Sequence, residues 1–201
     1  MTAIALTIYL GFGLLAFGWR AWRQYRLTGD YGFRGFSGRI GSIEFLGECL
    51  LTVGACAGLV ALVVELWGSG LRFKLVLPVA ARLGGLALMM LGAVLTLVAQ
   101  VEMGSSWRVG LDPSEVTELV TTGPFRWVRN PIFAAMLVVF LGVLLTVSNL
   151  IACFAVVAAL AGIELHVRRI EEPYLIRIHG ERYLSYAQRV GRFVPGLGRI
   201  A

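Results

Sequence analysis

Arg126, Arg129 and Asn130 stand directly ahead of an apolar run from Ile132 to Val147, and the acids Glu171 and Glu172 follow later in the chain. Ionisable groups held at the water boundary of a bilayer usually have a functional reason to be there. A helix that starts at Pro131, with Asn130 as its cap, also aims unsatisfied N–H groups and the positive end of a dipole at whatever binds in front of it. Guanidinium, amide and carboxylates gathered in this way form either a polar ligand site or an interfacial ion-pair network, and spacing alone supports both.

The composition says where such a site must sit. Of 201 residues, 58% are hydrophobic and only 15% charged, and the mean hydropathy of +0.79 is that of an integral membrane protein. The net charge of +6 comes from arginines in the gaps between apolar runs, as the positive-inside rule predicts, so nucleic acid is not an expected partner. Cys49, Cys56 and Cys153 all lie inside apolar runs without metal or redox spacing, and no metal site is expected.

The expected fold is all-α, a polytopic bundle of about five spans forming one integral membrane domain over residues 1–201, with a cytosolic helical tail. Ala3 to Trp19 is a first, retained span, with Trp19 and Trp22 as interfacial anchors. Arg20 to Ser42 is a cytoplasmic loop whose aromatics lie on the membrane or shape a substrate entrance. Ile43 to Trp67 carries Glu44 and Glu48 on one face, where they line a polar cleft or pair with the loop arginines. After an external turn over Gly68 to Lys74, the third run is Leu75 to Val101, with Gly84, Gly85 and Gly92 suited to close helix approach.

The connection that follows is long, and long ordered loops tend to carry function, which makes Trp107 and Arg108 site candidates. Within it Asp112-Pro113 signals a turn, and Ser114, Glu115 and Glu118 suggest a short surface helix. Ile132 to Val147 and Leu150 to Ile163 then form a short hairpin turning at Ser148-Asn149. The stripe Ile163, Val167, Ile170, Tyr174, Ile178 carries the second helix beyond the membrane, and Pro173 should kink it just after the paired acids. The basic, aromatic tail either lies on anionic lipid or folds over the site as a lid. Counting arginines places the N-terminus outside and the C-terminus and site in the cytoplasm. Nothing in the pattern sets an oligomeric state.

Gly123-Pro124-Phe125-Arg126, Arg129-Asn130-Pro131-Ile132-Phe133, Glu171-Glu172 and the tail residues His179, Gly180, Tyr183, Tyr186, Val190, Arg192 and Pro195 together resemble the isoprenylcysteine carboxyl methyltransferase family. The resemblance covers roughly Trp107 onward, so residues 107–201 are the expected cofactor-binding and catalytic half, and 1–106 supply spans of unknown role. It implies S-adenosylmethionine in a cytosol-facing pocket made by the last two spans and the tail, with a lipid-side tunnel for a lipophilic or lipid-linked acceptor. It implies cofactor contacts from Gly123, Pro124, Phe125, Arg129, Asn130, Pro131, Phe133, Glu171, Glu172, Tyr183 and Tyr186. Arg129, Glu172 and Arg126 would be catalytic, and Trp107, Arg108 and Arg192 would meet the substrate.

This chain departs from the family pattern, which has His and Tyr where Asn130 and Phe133 stand. A histidine base at position 130 is therefore excluded. A carboxylate acceptor needs no base. An amine or thiol does, and the only candidates are the glutamates, His166 and His179. Two rival readings remain: an NADPH-dependent reductase of a lipophilic alkene, related to sterol reductases and resting on the tail arginines, or a non-catalytic membrane partner protein.

Overall fold

The computed structural model describes residues 1–36, 39–68, 76–110 and 115–200. An apolar segment in lipid must satisfy its own backbone, which a helix does without help from a neighbour. The described residues form α1 (Thr2–Thr28), α2 (Ile43–Leu66), α3 (Val79–Glu102), a shorter α4 (Pro131–Val147), α5 (Leu150–His179) and a tail helix α6 (Glu181–Arg189). By length and composition α1, α2, α3 and α5 can cross a membrane, and α4, at 17 residues, is their shorter companion. Among the described residues there is no named strand. Two isolated bridges, Phe33 with Val109 and Val128 with Gly191, join segments edge to edge.

Large apolar side chains such as Leu14, Val98, Phe154 and Val157 point outward, which is what a lipid-facing surface requires and a water-facing one does not. Inside, small residues let backbones meet. Gly142 of α4 faces Gly85 and Met89 of α3, and Gly92 of α3 faces Ala135 and Val139. On the other side Gly162 of α5 lies against Gly47 and Leu51 of α2, and Gly54 against Ala155 and Ala159. Each contact is so close that a methyl group would collide with the neighbouring backbone. Gly84, expected to share this role, faces open space.

The α4–α5 hairpin is closed as its two-residue turn requires. Ser148 ends α4 in the left-handed region at φ 49°, and the Asn149 side chain accepts from Ala152 N at 2.9 Å to cap α5. Asn149 also donates to Ala61 O at 3.2 Å, which ties the turn to α2. The expected turn over Gly68 to Lys74 falls, apart from Gly68, outside the described residues. So do Asp112, Pro113 and Ser114; Glu115 to Glu118 are not helical.

The first helix runs on to Thr28, so Arg20, Arg23 and Arg26 lie on a helix where a loop was expected. Arg20 is wholly buried there because its charge has partners: it donates to Gln24 Oε1 at 3.1 Å and to the Gln100 and Gly104 carbonyls, and its guanidinium sits 4.6 Å from the centre of the Trp107 ring. A π-helical stretch, Leu14–Trp19, precedes it, and Gln100 Nε2 donates to Ala16 O within that stretch at 3.0 Å. These bonds clamp α1 to the end of α3, beside the cavity described next.

The helix changes its winding just ahead of Pro173. A π-helical turn over Val167–Glu171 precedes it, with Glu172 N bonded to Val167 O, and that turn accommodates the missing proline N–H and the ring's bulk.

Candidate active site

Arg129 is the structural centre of the lower end of the bundle. Its backbone N–H donates to Gly191 O at 2.8 Å, and that of Asn130 donates to Arg192 O at 3.1 Å, so the tail after α6 lies edge to edge with the segment leading into α4. The Arg129 guanidinium, 1% exposed, donates to the carbonyls of Ala187, Val190 and Gly198 and to Glu172 Oε1 at 2.6 Å. The first two carbonyls belong to the end of α6, where a cation suits the unsatisfied carbonyls and the dipole. Arg192 holds the same carboxylate from the tail, through Nε at 2.8 Å and Nη2 at 2.9 Å, and the pairing raises its already high pKa. Glu172 thus stands between two arginines and folds the tail under α5.

Adjacent helix positions point about 100° apart, and Glu171 accordingly looks the other way, into a cavity of about 670 Å³. The cavity has two characters. Its polar end is walled by Arg108, Phe125, Arg129, Asn130, Glu171, Tyr174, Tyr183 and Tyr186. From there an apolar arm rises between α1 (Tyr9, Phe12, Gly13, Phe17), α2 (Leu51, Thr52, Ala55) and α4 (Phe133, Met136, Phe140). At 1.5 Å of rise per residue, the stripe from Tyr9 to Phe17 makes that arm about 12 Å deep. Glu48 and His166 stand where the two parts join. His166 lies 5.4 Å from the Phe133 ring, with Nδ1 3.5 Å from Glu48 and Nε2 3.8 Å from Glu171.

The mouth of the polar end is tied by charge. Arg34, in the loop after α1, pairs with Asp30 at 2.9 Å and with Glu115 at 2.8 Å, and the Glu115 carbonyl accepts from Tyr174 Oη at 2.6 Å. Pairing with Asp30 and Glu115 raises the Arg34 pKa, and Arg34 in turn lowers that of Asp30. Gly32 and Gly110 (φ +77° and +80°) bring this loop against Trp107 and the segment around Val109 more closely than a side chain would permit. Tyr186, whose phenol bonds Phe125 O, has its pKa pushed up to about 12 by burial.

Of the residues expected at the site, Trp107, Arg108, Phe125, Arg129, Asn130, Pro131, Phe133, Glu171, Tyr183 and Tyr186 line the cavity. Gly123, Pro124, Arg126, Glu172 and Arg192 do not. Gly123 makes the turn that lets Glu102 pack close and Thr122 donate to it at 2.6 Å, Pro124 sits in the same 3₁₀ turn, and Arg126 is exposed. Asn130 does not cap α4 with its side chain as expected; its Nδ2 donates to Arg192 O at 3.2 Å. Glu48, expected to line a polar cleft or to pair with the loop arginines, lines the cavity, and so does His166, named above only as a candidate base. Glu48 comes from a span with no recognised motif, and His166 is buried together with Ile163, Val167 and Ile170 on α5. Among the described residues no cluster of His, Cys, Asp or Glu is arranged to hold a metal.

Comparison with known proteins gives this geometry a family. A profile described as phospholipid methyltransferase matches residues 80–182. The protein-S-isoprenylcysteine O-methyltransferase B of Arabidopsis thaliana is 31% identical over 115 residues, 55% of this chain and 57% of that protein, so the matched region spans little more than half of the relative. A solved structure of a eukaryotic intramembrane Ras methyltransferase, isoprenylcysteine carboxyl methyltransferase, superposes with a TM-score of 0.64 at 19% identity, covering 98% of this chain and 70% of that one. At that identity the likeness speaks for the fold, a polytopic membrane helix bundle.

Proposed function

We propose, since this chain belongs to the phospholipid methyltransferase family, that it transfers the methyl group of S-adenosylmethionine to a lipophilic or lipid-linked acceptor at the membrane. One observation carries the reading: a single cavity joins a polar end to an apolar arm, so a nucleotide-like group and a hydrocarbon chain can meet inside it. Its volume lies within the range of roughly 300–1,000 Å³ usual for small-molecule sites.

The residues at the polar end fit the cofactor. Arg129 Nε and Arg108 Nη1 are buried donors with no hydrogen-bond partner, and both residues line the cavity, so a carboxylate can complete them. The start of α4 adds N–H groups and the positive end of its dipole. Glu171 is placed for an ammonium or ribose hydroxyl, and Phe125, Phe133 and Tyr174 offer ring faces for adenine. When bound, the cofactor supplies an electrophilic sulfonium carbon. The chain's own part is to fix the approach in line and to keep water out. Glu172, paired to both Arg129 and Arg192, acts by holding the tail that closes this end.

The apolar arm between α1, α2 and α4 is the place for the acceptor's chain, which gives residues 1–106 a share in the substrate wall and leaves 107–201 to hold the cofactor. Arginines crowd the end that carries the site, which supports a cytoplasmic site and C-terminus with the N-terminus outside. The reductase reading rested on the tail arginines; Arg192 is committed to Glu172, and Arg189 turns back to Ser185 O.

Calorimetry on purified protein in detergent and in nanodiscs, titrated with S-adenosylhomocysteine, tests the reading. A one-to-one binding isotherm that Arg129→Ala abolishes is expected. A wild-type protein that binds NADPH and not S-adenosylhomocysteine overturns it.

A further inference from the structure

We propose that Tyr9 closes the apolar arm and so sets the length of hydrocarbon chain the acceptor carries, admitting about nine or ten carbons and turning longer chains away. The inference rests on the methyltransferase reading and deepens it, from a lipophilic acceptor to one of limited chain length.

Three helices end their part of the cavity wall at one level. The lining residues furthest from the polar end are Tyr9 on α1, Ala55 on α2 and Phe140 on α4. They converge. Tyr9 Oη donates to Ala55 O at 2.8 Å, which lays the ring from α1 across to α2. Gly58, on the next turn of α2, leaves room for it: a Cβ there would lie 2.8 Å from Tyr9 Oη and 3.5 Å from Phe140 Cε1. A phenol among apolar helices needs a partner, and a helix carbonyl keeps a second lone pair to offer. Beyond this level the bundle is filled. Tyr9 packs against a cluster of Ala5, Ala61, Leu62, Met89, Val143 and Val147, none of which lines the cavity.

The length of the arm follows from the helix that lines it. From Phe17 to Tyr9 it is about 12 Å deep, and carbon–carbon bonds of about 1.5 Å at tetrahedral angles cover that distance in about nine or ten steps. Lipid tails are as apolar as the side chains of the arm, so a chain gains little by exchanging one for the other. Length is therefore selected by fit. A chain that reaches Tyr9 and no further lies straight with its head at the polar end. A longer one meets the ring, and must fold back against close-packed side chains or stop with its head short of the methyl donor.

The ring is the stop, and the hydroxyl only fixes it, which separates three substitutions. Tyr9→Phe keeps the ring and loses the bond to Ala55. Tyr9→Leu shortens the stop, and Tyr9→Ala removes it.

Octylamine, hexadecylamine, octanoate and hexadecanoate test this, two chain lengths on heads of opposite charge, by calorimetry on each protein in nanodiscs with the probe counted per lipid. For whichever head binds, wild type should hold the octyl chain about tenfold more tightly than the hexadecyl chain. Hexadecyl affinity relative to octyl should rise about tenfold in Tyr9→Ala and about threefold in Tyr9→Leu, and stay within about twofold of wild type in Tyr9→Phe. S-adenosylhomocysteine affinity should stay within about twofold throughout. Should Tyr9→Ala fail to fold, Tyr9→Leu, which still fills space against the core, carries the test. An unchanged chain preference in folded Tyr9→Leu, or a wild type that binds no probe or favours the hexadecyl chain, overturns the inference and leaves the methyltransferase reading standing. Absence of S-adenosylhomocysteine binding in wild type overturns that reading instead, whatever the chains do.

Discussion

Arg129 and Glu172, 43 residues apart in the chain, meet at 2.6 Å beneath the bundle, and the pair is closed from below by Arg192. Because Arg129 also grips three tail carbonyls, this one contact joins the start of α4, the lower part of α5 and the segment after α6. Arg129 lines the polar end of the cavity, and Glu172, which does not, holds that end in shape.

Removing Glu172 should therefore act on stability before it acts on chemistry. Glu172→Ala leaves the Arg129 guanidinium buried without a counter-charge, a loss of about 3–5 kcal/mol. Arg192→Ala should cost less, since Arg129 still satisfies the carboxylate. Scanning fluorimetry in detergent should order the melting temperatures wild type, Arg192→Ala, Glu172→Ala; the reverse order for the two variants contradicts the strut.

The helix pairs make a separate prediction. A Cβ at Gly142 would lie 2.6 Å from Gly85 O, while one at Gly84 meets nothing within 4 Å. Gly142→Ala should destabilise the protein by about 1–3 kcal/mol, the usual cost of overpacking, and Gly84→Ala should leave the melting temperature unchanged or slightly raised. Equal effects at the two sites would mean that α3 and α4 do not pack in this register.

The arm can be shortened from α1. Gly13 lines it, and a side chain built there meets no atom within 4 Å at its Cβ, so Gly13→Leu fills space otherwise left for a chain. Affinity for a hexadecyl probe should fall by about tenfold, and that for its octyl counterpart by about threefold or less, with S-adenosylhomocysteine binding unchanged. A uniform loss across chain lengths would place the chain elsewhere.

Much of this arrangement was legible in the residues and some of it was not. Apolar runs separated by arginines announce the spans, and Ser148-Asn149 between two short runs announces the hairpin. Arg20 misled because hydropathy scores a side chain alone, whereas the carbonyls of Gln100 and Gly104 and the ring of Trp107 that make its burial tolerable come from elsewhere in the chain. Glu171 and Glu172 read as a pair because they are neighbours in sequence. On a helix neighbours diverge, so one faces the cavity and the other the tail. Glu48 read as lining a polar cleft or pairing with the loop arginines; its meeting with His166 comes from the packing of α2 on α5, which no local pattern encodes.

The π-helical turn before Pro173 has a bearing on how this protein can change. It contributes one residue more than a regular turn, and everything below it is phased accordingly. Substitutions there alter a side chain, but an insertion or deletion rotates the whole lower segment and trades the bearings of the two acids. Segment length between His166 and Pro173 should therefore tolerate less evolutionary variation than its composition, and gaps in related chains should fall outside it.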